Sequence, residues 1–224
     1  MKTFDRQWNH VHQQRSWGRY PAEEMVRFMT RNYPPAEREK IKVLDLGCGT
    51  GANTWFLCRE GFSAFAFDGA YAALPKAYGL CQTEKKPAHF LQADAGMLPF
   101  ANSSFDAVID IAALSANSTE GIERILDEIY RTLRSGGRFF SSGLFSRSTT
   151  GYKTGEKVDR NSFRNIENGP VSGIGTVHFF TPAEITSLWA KHGFENLCID
   201  KLERTDHNGA FRVSYYIVSA IRKN

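Results

Sequence analysis

The sequence predicts an α/β fold: a doubly wound, mostly parallel seven-stranded sheet that ends in an antiparallel hairpin. Three observations predict it. Residues 41–57 read as an apolar strand, a glycine turn and a helix. Strand-like and helix-like stretches then alternate to about residue 142, the pattern of βα units. Two long strand-like stretches, about 196–204 and 211–221, close the chain with only the loop from Thr205 to Gly209 between them, so they pair antiparallel.

In the first unit, Val43, Leu44 and Leu46 form a run that suits a strand covered on both faces. Gly47, Gly49 and Gly51 permit positive φ and let a ligand approach the backbone. A helix starting near Gly51 directs its free N–H groups at that turn. The glycines alone fit two kinds of nucleotide, because Gly47-x-Gly49-x-x-Ala52 also satisfies the loose dinucleotide pattern. Asp45 shifts the balance. A carboxylate at the strand end repels a pyrophosphate and suits a ligand with donors or positive charge, such as the ammonium and sulfonium of S-adenosylmethionine.

The run Val43-Leu44-Asp45-Leu46-Gly47-Cys48-Gly49-Thr50-Gly51 resembles the first motif of class I S-adenosylmethionine-dependent methyltransferases. Two further stretches are similar to that family: His89–Gln92 leading into Ala93-Asp94-Ala95-Gly96-Met97-Leu98, then strand 107–111; and the Ser135-Gly136-Gly137 turn into strand 138–142, where relatives usually carry proline at the position of Ser135. The resemblance implies that Asp94 accepts a hydrogen bond from the adenine amino group beside the backbone of Ala95, with Met97 and Leu98 packed on the base. It also implies that the rim from Asp110 to Ser115 runs past the sulfonium and opens toward the acceptor, which makes Asp110 both a cofactor-side residue and a candidate base. The family's usual histidine pair is missing there.

The elements between these motifs read directly. Residues 62–67 alternate as a second strand that closes on Asp68 and Gly69. Asp68 lies 21 residues beyond Gly47, the separation at which an acidic residue meets ribose hydroxyls in doubly wound folds. Ile122, Ile125, Leu126, Ile129, Tyr130 and Leu133 mark an amphipathic helix. Thr181-Pro182-Ala183-Glu184 is a capping box for another. Residues 145–180 show no periodic pattern and leave the fifth strand on the ligand rim, so they read as a loop-rich insert, and the resemblance implies that acceptor determinants lie there. His178, near the end of the insert, is the second candidate base.

Residues 1–40 read as an N-terminal arm ahead of a methyltransferase-like domain at 41–224. Trp8, Trp17 and Tyr20 stand among polar residues, and Gly18 interrupts any helix there; a helix starts at Pro21 and stops before Tyr33-Pro34-Pro35. The aromatics either cover the cofactor as a lid or anchor the arm to the outside of the core.

Composition sets the remaining bounds. The 224 residues, 42% hydrophobic and 23% charged, suit one domain with a proper core. No apolar run reaches membrane-spanning length, and Met1–Trp8 lacks a signal-peptide core. Cys48, Cys58, Cys81 and Cys198 show no metal-ligand spacing and are expected to stay reduced in the cytoplasm; no metal is implied. The net charge of +4 is spread without a basic run, which disfavours nucleic acid. The reading is methyl transfer from S-adenosylmethionine to the O or N of a small-molecule acceptor, with a protein acceptor left open. The alternatives are an NAD(P)-dependent oxidoreductase, against which Asp45 and the terminal hairpin argue, and a non-catalytic binder of the same cofactor.

Overall fold

The computed structural model describes residues 3–15, 18–84 and 87–224; Trp17 of the arm lies outside them. The arm carries α1 (Gln7–Gln14), α2 (Glu23–Asn32) and a 3₁₀ turn at Pro35–Lys40. The main body follows as β1 (Lys42–Leu46), α3 (Ala52–Arg59), β2 (Ser63–Asp68), α4 (Leu74–Cys81), β3 (His89–Gln92), β4 (Phe105–Ile111), α5 (Thr119–Thr132) and β5 (Leu133–Phe145). Three short strands, β6 (Glu156–Lys157), β7 (Ser162–Arg164) and β8 (Val177–His178), precede α6 (Pro182–Lys191), β9 (Phe194–Asp206) and β10 (Phe211–Arg222).

The main sheet has seven strands in the order β3-β2-β1-β4-β5-β10-β9. The first five run parallel, and β10 is antiparallel to both of its neighbours. Leu46 at the end of β1 pairs with Phe67 on one side and Asp110 on the other. The chain winds outward in both directions from this point, so a crevice opens beyond the carboxyl ends of β1 and β4.

Burial on both faces explains the apolar run in β1. Leu44 and Leu46 join Phe139, Trp189 and the α5 stripe of Ile122, Ile125, Leu126 and Ile129. Val43 joins Leu57, Phe62, Ile109 and the arm's Met25 and Met29 on the opposite face. Helix entry follows the capping chemistry: Ser118 Oγ accepts from Gly121 N at 3.2 Å in α5, and Thr181 Oγ1 accepts from Glu184 N at 3.3 Å in α6. Among the described residues, no helix is long and apolar enough to cross a membrane.

The structure differs from expectation in three places. Residues 7–14 form a helix, α1, whose polar composition hides a narrow buried stripe at Val11 and His12. Residues 145–180 form a three-stranded sheet with its own core of Phe163, Val171, Val177 and Phe179. Its strands are two or three residues long, too short to show a period in sequence. Finally, β5 begins at Leu133 and pairs with Phe105 before the ladder jumps to Ala107 and Arg138, so the double glycine is a bulge inside the strand.

Candidate cofactor and acceptor site

A cavity of about 420 Å³ lies over the carboxyl ends of β1 and β4. The glycine turn forms its floor. Gly47 has φ +67°, and a Cβ there would lie 2.6 Å from Cβ of Ala113, so only glycine lets the β1 and β4 rims meet. Gly49 has φ +53° and donates its N–H to Asp68 Oδ2 at 2.8 Å. Gly51 differs from both. It caps α3 at φ +89°, and its missing Cβ makes room for Cα of Ala77 in α4, at 2.7 Å. The cavity wall runs from Gly47 to Thr50 and resumes at Ala52, so the expectation of a ligand contact at Gly51 is corrected to a helix-packing role.

Three carboxylates surround the turn. Asp68 lines the cavity and accepts from both Gly49 N and Ala70 N. Burial raises its pKa, against those two bonds and the nearby His12. Asp45 is 1% exposed and takes the Thr54 hydroxyl on Oδ2 at 2.5 Å, while Oδ1 has no hydrogen-bond partner among the described residues. Burial pushes its pKa up to about 7. Asp94 accepts from the N–H and hydroxyl of Thr3 and from Gly96 N. Ala95 and Gly69 line the cavity, as the sequence suggests; Asp45, Asp94 and Met97 do not. Met97 is 77% exposed on the tight turn that bridges Asp94 to Met97, and Leu98 is buried in its place.

The other two expectations also fail on geometry. Asp110 is fully buried and does not line the cavity. Its Oδ1 accepts from Ala113 N and Leu114 N, and its Oδ2 from Ser141 Oγ at 2.6 Å, so it holds the turn after β4. Burial pushes its pKa up to about 7. His178 is fully buried inside the insert, with Nδ1 2.8 Å from Ser162 Oγ and Nε2 3.1 Å from Glu184 Oε1. Asn161 Nδ2 donates to Glu184, and Arg147 donates to Asn161 Oδ1. This network knits the insert to α6, and neither Asp110 nor His178 lies on the cavity lining.

The arm supplies Phe4 and His12, which sequence reasoning missed, beside Trp8 and Tyr20, which it offered as a lid. Trp8 and His12, four residues apart on α1, face the cavity together, and that spacing is the signal that was available. The Phe4 ring packs against Gly69, where any side chain would collide with it. His12 sits over Gly49, its Cε1 3.4 Å from where a Cβ would stand. Burial lowers the His12 pKa, with Asp68 opposing and Lys76 adding to the effect. Lys76 Nζ donates to the His12 carbonyl at 2.5 Å and fastens α1 to α4. A second hollow of about 310 Å³ shares Trp8, Ala112 and Ala116 with the first and extends toward the insert.

These features fit an adenosine-bearing cation. Gly47 and Gly49 form a cradle that a Cβ would fill, and Asp68 presents a carboxylate to it, while Asp45 sits buried behind the turn. Known proteins agree. Residues 43–137 match the family model described as a methyltransferase domain. The chain is 26% identical over 193 residues to O-methyltransferase 3 of Dictyostelium discoideum, covering 81% of this chain and 43% of that one. It is 28% identical over 172 residues to the tRNA N(3)-methylcytidine methyltransferase Mettl2 of Drosophila melanogaster, covering 71% and 51%. The chain thus spans about half the length of these curated relatives. Among solved structures, an S-adenosylmethionine-dependent methyltransferase from Methanosarcina mazei superposes with a TM-score of 0.69 at 24% identity, over 88% of this chain and 98% of that one. The motif, the sheet order and these relatives make the chain similar to S-adenosylmethionine-dependent methyltransferases, with the methyltransferase-domain match spanning residues 43–137.

Proposed function

We propose that the chain moves the methyl group of S-adenosylmethionine to an oxygen or nitrogen of a small-molecule acceptor by in-line displacement. One observation carries this: two hollows meet at the alanine rim after β4, one framed by Asp68 and the glycine turn, the other apolar and open toward the insert. When bound, the cofactor supplies a methyl carbon whose bond to sulfur breaks as the bond to the acceptor forms.

The chain's own part is alignment and exclusion of water. Asp68 accepts the ribose hydroxyls, while Asp94 and the Ala95 N–H hold the base. The start of α3 faces the carboxylate end of the ligand. Phe4, Trp8 and His12 act as a lid that shuts out water. Alignment of this kind accounts for about 7–11 kcal/mol of a barrier. Where the acceptor arrives protonated, His12 is the imidazole on the cavity wall that takes the proton, because burial keeps it neutral. Four free cysteines, three of them buried, are consistent with a reducing compartment and a cytoplasmic protein.

Titration calorimetry with S-adenosylmethionine and with NAD is the first test. Binding of S-adenosylmethionine alone is expected, and tighter NAD binding overturns the proposal. Radiolabelled methyl transfer into separated metabolite, protein and RNA fractions then locates the acceptor. Label in the small-molecule fraction supports the proposal, and label confined to RNA or protein overturns it.

A further inference from the structure

The second hollow has an asymmetric lining. Phe145, Pro170, Ile174 and Val177 make it apolar, and Trp8, Ala112 and Ala116 divide it from the cofactor cavity. Two hydroxyl residues border it, and both are already engaged. Ser115 Oγ donates to the Gly143 carbonyl at 2.6 Å, and Thr176 Oγ1 lies 3.4 Å from Asp5 Oδ2. Asp5 itself lines the cofactor cavity and not this hollow, with its carboxylate held by the N–H groups of Gln7 and Thr176.

One charged residue remains on the lining, Arg15. It follows the last turn of α1, and its guanidinium rests on the insert: Nη2 lies 3.0 Å from where a Cβ of Gly173 would stand. Gly173 has φ +71°, a conformation that also favours glycine, so the close approach is built into the loop. Among the described residues Arg15 makes no ion pair. A guanidinium is shaped for a carboxylate or phosphate, and this exposed residue brings one to the edge of an apolar wall.

We infer that this hollow is the acceptor subsite and that it takes a flat, apolar small molecule bearing an anionic group, seated with the anion on Arg15 and the nucleophile toward Ala112 and Ala116. The inference rests on the proposed methyl transfer. It deepens that proposal by naming the acceptor class: aromatic or polyunsaturated organic acids, with carboxylate or phosphate as the anchor. The hollow's volume of about 310 Å³ is at the small end for ligand pockets, which suits one or two fused rings.

The test uses the whole chain saturated with S-adenosylhomocysteine, with 2-naphthoate and its uncharged isostere 2-naphthamide as probes in titration calorimetry. 2-Naphthyl phosphate serves as a third probe and separates a carboxylate anchor from a phosphate one. At least one anion is expected to bind about tenfold more tightly than the amide. Arg15→Gln should abolish that preference and Arg15→Lys should keep part of it, with S-adenosylhomocysteine affinity unchanged in both. Ile174→Trp should weaken all three probes by filling the wall, again without touching S-adenosylhomocysteine. Equal binding of acid and amide, no binding of any probe by the S-adenosylhomocysteine-loaded chain, or a preference that survives Arg15→Gln would overturn the inference and leave the methyltransferase proposal standing. Failure to bind S-adenosylhomocysteine at all would instead overturn the proposal beneath it.

Discussion

Thr3 donates both its backbone N–H, at 3.0–3.1 Å, and its hydroxyl, at 2.5 Å, to the carboxylate of Asp94, 91 positions along the chain. That carboxylate is the group proposed to receive the adenine amine. The arm therefore occupies the oxygen pair that the proposed adenine contact needs, and on that proposal the two compete. Asp94→Ala should weaken S-adenosylmethionine binding about tenfold, as expected for loss of a charge-assisted bond. Thr3→Ala should strengthen it about threefold. Calorimetry reads both, and a weaker Thr3→Ala complex would mean that arm and base share the carboxylate.

The three glycines of the turn should separate by what they do. Gly51→Ala places a Cβ 2.7 Å from Ala77 Cα at a left-handed φ, and should destabilise the fold by about 2–3 kcal/mol. Gly49→Ala meets only His12, at 3.4 Å, so about 1 kcal/mol of stability is expected to go, together with most of the cofactor affinity. Thermal melts with and without S-adenosylhomocysteine distinguish the two. Equal ligand-induced shifts in both variants would contradict the assignment.

Asp45 and Asp110 give the stability a defined pH dependence. Burial raises both folded-state values to about 7, above an unfolded carboxyl near 3.8, so the folded chain holds the extra protons. Stability is then greatest below about pH 4, declines as pH rises toward 7, and is level above that as far as these two groups are concerned. Asp110→Asn removes one of them. It should melt within about 1 kcal/mol of the parent at pH 5 and higher than the parent at pH 8. A parallel pH profile for parent and variant would refute the shift at Asp110.

His178→Ala strands Ser162 and Glu184 in the insert core and should cost about 2–4 kcal/mol of stability. S-adenosylhomocysteine affinity should not change, and His178→Gln should recover part of the loss. A normal melting temperature with abolished turnover would return His178 to the reaction.

The fold was legible because its signals are periodic or local. The apolar β1 run, the α5 stripe, the Thr181 capping box and the helix-free terminal hairpin each name their element without outside help. Asp68 and the glycine turn were legible through spacing. The burial of Asp110 and His178 was not legible because a sequence does not show which way a side chain points: both sit beside the ligand rim in the chain, and both turn into the core. The arm was the converse case. Trp8 and His12 stand four residues apart, but two positions amid polar neighbours are too few to stand out until the helix is seen.

Trp8 borders both hollows, and Asp5, three residues before it, fastens α1 to the insert through Thr176. One helix thus serves as a common door. Moving it to admit the cofactor also opens the wall of the second hollow, so on the proposed acceptor subsite the release of the two products is coupled. Turnover should then show a single opening event that gates both products, with adenosylhomocysteine and the methylated acceptor leaving at rates that change together when α1 is altered.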